Sequence, residues 1–285
     1  MKKYIPIELL ILVFFFVANK NFAQDFNVHN VIYKTIDTLK LSMDIYTPEK
    51  IKKGVKTPAI IFYFGGGWNS GTRTQFEPHA KHFATRGMIA VLVDYRVKTR
   101  NNTTPYQAAA DALSAIRFLR TNASKYGIDP DRIAASGGSA GGHLAAVTGN
   151  ITGLDETYED QKISSKANAL ILFNPVFDNG PTGYGFDRVG GESGYKKISP
   201  IDNIRKGAPP TSVLLGTKDH LIPVSTAQRY QKLMQEAGSR CDLHLFENQK
   251  HGFFNYKKDN ENSKFPDEAL RIADAFLVSL GYLNP

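Results

Sequence analysis

The stretches PAIIFYF (Pro58–Phe64) and MIAVLVDY (Met88–Tyr95) carry apolar side chains at almost every position. Successive residues of a strand point to opposite faces, so runs of this kind are strands only where both faces are covered. That environment is a parallel sheet packed between two layers of helix. RIAAS (Arg132–Ser136), NALILFN (Asn168–Asn174), TSVLLG (Thr211–Gly216) and DLHLFE (Asp242–Glu247) read as further strands. Between and after them lie helical segments at Gln75–Arg86, Pro105–Tyr126, Ala140 to about Thr148, Pro223–Ala237 and Pro266–Leu280. In the second, Ala109, Ala112, Leu113, Ile116 and Leu119 fall on one face. Ahead of this alternation, Asn30–Ile36 and Leu39–Tyr46 flank Asp37 and Thr38 as an antiparallel hairpin. The expected fold is therefore α/β: a mostly parallel central sheet with an N-terminal antiparallel hairpin and helices on both faces. In such sheets ligands bind at the carboxyl ends of the strands, and site residues are sought there.

The chain has 285 residues, 42% of them apolar, and neither an internal repeat nor a low-complexity linker, so one domain spanning residues 25–285 is expected. Residues 1–24, MKKYIPIELLILVFFFVANKNFAQ, place two lysines before an apolar stretch and end in NFAQ. This is the layout of a signal peptide, too short and too poorly flanked for a stable membrane span in the mature form. The expected location is secreted or periplasmic. A single cysteine, Cys241, allows no internal disulfide. None is needed, because a chain of about 260 residues buries roughly three quarters of its unfolded surface. The net charge of +8 is scattered, without the clustered stripe of a nucleic-acid binder, so no nucleic-acid partner is expected.

RIAAS runs directly into GGSAGGH, Gly137–His143, and Gly137 to Gly141 match G-x-S-x-G at a strand-to-helix turn. There a serine occupies a strained backbone position that glycine neighbours make room for, with its hydroxyl at the positive end of the next helix. Ser139 is the candidate nucleophile. A serine hydroxyl needs a base to take its proton. Of the seven histidines, His251 in ENQKHGFF follows the last strand and so lies at the same sheet edge. The acid that orients it is Asp219, in LLGTKDHLIP after the penultimate strand, with Asp178 in reserve. No metal-ligand spacing is present, and no metal or other cofactor is implied.

Upstream, IIFYFGGGWNSG ends an apolar strand in three glycines and a tryptophan. Attack on an ester carbonyl creates an oxyanion that needs main-chain N–H donors free of obstructing side chains. Gly66 and Gly67, joined by the N–H of Ala140, are the expected donors. His143, one turn beyond Ser139, and Trp68 are placed as substrate-lining residues.

Together FGGGW, DYR, DPDRIAASGGSAGGHLA, SPI, LLGTKDHLIP and KHGF resemble the bacterial esterase/lipase branch of the α/β-hydrolase family, over roughly Leu41–Leu280. The chain looks like relatives of hormone-sensitive lipase and of secreted acetyl and feruloyl esterases. Those relatives usually carry His-Gly-Gly-Gly, whereas Phe64 stands at the histidine position here. The resemblance implies Ser-His-Asp acyl-enzyme chemistry on an ester. Asp178–Lys197, where such proteins often insert a lid, is short and rich in glycine and tyrosine. It leaves an open cleft suited to small acyl groups on a large alcohol, where Trp68, Tyr184 and Tyr195 are candidates for stacking on a sugar. The expected substrate is an acetyl ester carried on a polysaccharide such as xylan. The alternatives are a broad short-chain carboxylesterase, a feruloyl esterase, or a non-catalytic binding protein of the same fold.

Overall fold

A computed structural model describes residues 26–49, 51, 54–256 and 264–285; the expected signal peptide lies outside them. The eight strands are β1 (Phe26–Ile36), β2 (Leu39–Pro48), β3 (Thr57–Tyr63), β4 (Ile89–Val93), β5 (Ile128–Gly138), β6 (Ala169–Phe173), β7 (Thr211–Gly216) and β8 (Cys241–Phe246). They form one sheet in the order β1-β2-β4-β3-β5-β6-β7-β8. The β1–β2 and β2–β4 pairs are antiparallel and every other pair is parallel.

The helices are α1 (Glu77–Thr85), the single turn α2 (Lys98–Asn101), α3 (Pro105–Thr121), the single turn α4 (Ala123–Tyr126), α5 (Ala140–Asn150), α6 (Val224–Glu236) and α7 (Lys264–Ser279). Strand alternation divides the core between the two sheet faces. Ile61 and Tyr63 of β3 join the cluster built with α3, α5 and α6. Ile60 and Phe62 join the one built with α1 and α7. This two-sided cover is why β3, β4, β6 and β7 are buried along their whole length. Among the described residues no helix is long and apolar enough to cross a membrane.

Several boundaries differ from the sequence pattern, and β1 opens at Phe26 rather than Asn30. The segment from Gln75 opens as a 3-10 turn, Arg73–Phe76, before α1, whose first turn holds Pro78, where no amide is required. The long second helix breaks at Asn122, whose side-chain amide donates to the Phe118 carbonyl at 2.9 Å and caps α3. Strand β5 begins at Ile128, four residues earlier than its apolar run, because Ile128 pairs with Thr57 across an irregular register.

Strand β1 is tied to the helical layer by a buried charge cluster. Lys34 Nζ lies 2.7 Å from both Asp111 Oδ1 on α3 and Glu156 Oε1, and Arg96 Nη2 lies 2.7 Å from the same Asp111 oxygen. Asp111 and Lys34 are almost fully removed from water. Asp111→Ala would leave two cations facing Glu156 alone and is expected to cost about 3–5 kcal/mol. Urea denaturation of the variant against the parent protein measures this directly.

Candidate active site

Strand β5 delivers Ser139 to the sheet edge in a conformation few residues adopt, with φ +57° and ψ −119°. Backbone strain of this kind costs on the order of 1–3 kcal/mol and persists only where the surroundings over-determine it. Here the Ser139 N–H donates to the Phe173 carbonyl at 2.9 Å. Its own carbonyl accepts from the amides of His143 at 3.0 Å and Val176 at 3.3 Å. The glycines of the motif permit the close packing: a Cβ on Gly141 would collide with the Tyr63 carbonyl of β3. Ser139 is half-buried at the N-terminus of α5, where the helix dipole favours developing negative charge.

His251 and Asp219 meet at the same edge, in the loops after β8 and β7. His251 Nδ1–H donates to Asp219 Oδ2 at 2.7 Å, which leaves Nε2 as the nitrogen with a free lone pair. The Asp219 side chain is wholly buried. Its Oδ1 accepts from the amides of Leu221 at 2.8 Å and Ile222 at 3.1 Å. Oδ2 also accepts from Asn174 Nδ2 at 2.6 Å. Burial alone would raise the carboxyl pKa, but the hydrogen bonds from His251, Leu221 and Ile222, with the His251 charge, hold it below its ordinary value.

Asn174 had no role in the sequence reading. It ends β6 with φ +41°, a backbone that turns its side chain toward the loop carrying Asp219. The available signal was an amide closing an otherwise apolar strand run. Asp178, the reserve acid, does not approach His251. It accepts from the Gly180 amide at 2.7 Å and from Arg229 Nη1 at 3.5 Å, as a turn aspartate does.

After β3 the glycine loop passes directly beside the elbow: a Cβ on Gly65 would stand 3.0 Å from the Gly138 carbonyl and 3.5 Å from Ser139 Cβ. The Gly65 amide is already engaged within the protein, by Gln75. The amides of Gly66, Gly67 and Ala140 make no hydrogen bond to another described residue. Gly66, at φ +123°, admits no side chain, because a Cβ would strike the Ser70 carbonyl. Phe64 is fully buried and stacks on Tyr95 at 4.0 Å, while Tyr95 Oη donates to the Phe64 carbonyl at 2.6 Å.

Trp68 and His143 are not placed as an exposed lining. Their rings pack edge to face at 4.9 Å and are 2% and 0% exposed. The indole underlies the glycine loop, and His143 Nε2–H donates to the Ile198 carbonyl at 2.9 Å. Burial lowers the His143 pKa to about 4, so the ring is neutral at neutral pH. Their burial corrects the expectation of direct sugar contact, because an indole this enclosed offers no face for stacking. Tyr184 packs near Trp68, with ring centroids 6.0 Å apart. His79 and His82 lie on α1 and His244 within β8.

A solved structure of Thermogutta terrifontis esterase 2 phosphorylated by paraoxon superposes with a TM-score of 0.85 and 43% sequence identity, over 90% of this chain and 96% of that one. The chain belongs to the esterase/lipase branch of the α/β-hydrolase family. Within that family, the model described as BD-FAE matches residues 43–182 and that of the dienelactone hydrolase family matches residues 176–279. The probable carboxylic ester hydrolase LipM of Mycobacterium tuberculosis is 29% identical over 70% of this chain and 49% of its own length. Carboxylesterase NlhH of the same organism is 28% identical over 74% and 70%. The chain spans about half the length of the first curated relatives it matches.

The buried Asp219 carboxyl makes this edge pH-sensitive in a definite direction. A carboxyl whose folded pKa is depressed stabilises the fold above its unfolded value of about 3.9, and this stabilisation is lost as pH falls through the lower folded value. Urea unfolding between pH 3 and pH 6 should therefore show a drop in stability toward acid that is shallower in Asp219→Asn. An unchanged slope would contradict the depressed carboxyl.

Proposed function

We propose that this chain is a serine carboxylesterase, exported from the cell, that removes short acyl groups, acetyl foremost, from a large polyhydroxylated alcohol such as an acetylated polysaccharide. The observation that carries the reading is the 2.7 Å pair of His251 and buried Asp219 at the edge where the strained elbow presents Ser139. His251 Nε2 takes the Ser139 proton as Oγ bonds to the carbonyl carbon. The oxyanion forms against the free amides of Gly66, Gly67 and Ala140. The imidazolium then protonates the departing alcohol, leaving an acyl-serine. Water, deprotonated by the same nitrogen, releases the acid and regenerates the hydroxyl. Asp219 stays ionised and fixes the tautomer with Nδ1–H toward itself.

The substrate class rests on the segment over the site. From Asp187 to Asp202 it consists of single 3-10 turns, with no long helix to sequester a lipid tail. It is pinned in place by Tyr106 Oη to the Gly194 carbonyl at 2.7 Å and by Arg188 Nη1 to the Gly67 carbonyl at 2.7 Å. Thermogutta terrifontis esterase 2 has also been solved with propionate and with butyrate bound, which supports short acyl groups here. Export through residues 1–24 would bring the enzyme to polymers too large to enter a cell.

Hydrolysis of p-nitrophenyl acetate, butyrate and octanoate, with acetate release from acetylated xylan, tests the proposal. Turnover should fall with chain length, and Ser139→Ala should lose about 10⁴-fold or more in kcat. No serine-dependent turnover on any ester would refute the esterase. Turnover on the small esters without release from the polymer would refute only the polysaccharide.

A further inference from the structure

We propose that Gln75 is a positioning residue that locks the glycine loop to the histidine loop, so that the oxyanion donors and the base are held as one unit. The proposal rests on the esterase reading above for its consequence in catalysis, but not for its geometry.

Gln75 lies in the 3-10 turn Arg73–Phe76, just after the glycine loop. Its Oε1 accepts the Gly65 N–H at 2.6 Å. Its Nε2 donates to Asn255 Oδ1 at 2.8 Å. Asn255 Nδ2 in turn donates to the carbonyl of Gly252 at 2.9 Å, and the Asn255 amide donates to the same carbonyl at 3.1 Å. Gly252 directly follows His251. One short chain of hydrogen bonds therefore runs from the residue before the free amides to the residue after the base, and its central link, Gln75 to Asn255, spans 180 positions of sequence.

The side-chain chemistry is specific. An amide both accepts and donates, whereas a carboxylate only accepts and an ammonium only donates, so Gln75 can satisfy the two loops at once. Phe64 occupies the position where related esterases carry a histidine, and its ring, stacked on Tyr95 and under the Arg100 guanidinium, makes no hydrogen bond to the loop. Tyr95 and Arg188 tie the carbonyls of Phe64 and Gly67, and Gln75, ten residues along the chain, adds the tie that holds the Gly65 amide and reaches the histidine loop. Beside this link Phe76 stacks on Phe254 at 5.7 Å with the rings 10° apart, so apolar packing joins the same two loops next to the hydrogen bonds. Reacting groups must be held within about half an ångström, and displacement of about 1 Å costs on the order of 100-fold in rate.

The test compares Gln75→Ala, Asn255→Ala, the double variant and Gln75→Glu in the full-length protein. Turnover of p-nitrophenyl acetate is expressed per serine titrated with a fluorophosphonate, and melting temperature and amide hydrogen exchange over residues 64–71 and 249–256 are measured alongside. Gln75→Ala should lower kcat about 10- to 100-fold with KM changed less than about threefold. The double variant should be no worse than Gln75→Ala within about twofold, since the two residues act through one link. Gln75→Glu keeps the acceptor for Gly65 and should fall between. Either single alanine variant should speed exchange in both loops. The proposal is overturned if kcat per titrated site stays within twofold of the parent, if the two losses multiply, or if faster exchange is confined to the substituted loop. Should Gln75→Ala fail to fold, Asn255→Ala and Gln75→Glu carry the same comparisons. If the parent protein hydrolyses no ester, the esterase reading fails by itself, and the exchange data still decide the link.

Discussion

The site depends on the parallel pairing of β3 with β5, which sets Tyr63 opposite Gly137. Parallel neighbours end at the same edge, so the loop leaving β3 and the elbow leaving β5 emerge side by side. The approach is closer than side chains would allow. Gly141 meets the Tyr63 carbonyl and Gly65 meets Ser139 without an intervening Cβ, and this brings main-chain donors to the nucleophile. The pairing of β7 with β8, which sets Gly216 opposite Phe246, does the same for the acid and the base. Asp219 and His251 each lie a few residues beyond a paired strand end, and their meeting at 2.7 Å follows from that registry.

Main-chain hydrogen bonds carry most of the cost of this arrangement. The left-handed φ of Ser139 is held by three of them, through its own amide and carbonyl. The buried Asp219 carboxylate is satisfied by two backbone amides, one asparagine amide and the imidazole. An ionised group this buried is stable only when its acceptor capacity is filled, and filling it fixes where both oxygens point. The same bonds that keep Asp219 charged therefore orient His251.

Phe64 shows how one element of a family pattern can change while the architecture around it persists. The amides of Gly66, Gly67 and Ala140 that stand free beside Ser139 are backbone groups, so the side chain at position 64 bears on them by fixing the loop. Stacking on Tyr95, the Tyr95 hydroxyl on the Phe64 carbonyl and the Gln75 amide on Gly65 together supply that fixation. The packing of Trp68 against His143 beneath the loop completes it.

The sheet and its helices were legible in the sequence because continuous apolar runs and turn glycines are local signals of burial and backbone freedom. That Ser139, Asp219 and His251 share one sheet edge was legible because strand ends mark that edge. Asn174 and Gln75 were not, since a single amide at a strand end or in a helical turn looks the same whether it faces water or another loop. The buried positions of Trp68 and His143 were hidden for the same reason: residue type gives a capacity for contact, and packing decides what fills it. By itself the sequence determined which residues could serve as nucleophile, acid and base, because those roles require particular functional groups at strand ends. Only the tertiary structure decided which amides bridge the loops and which rings lie beneath them, because those contacts join segments far apart in the chain, and their geometry exists only once the sheet has set its register.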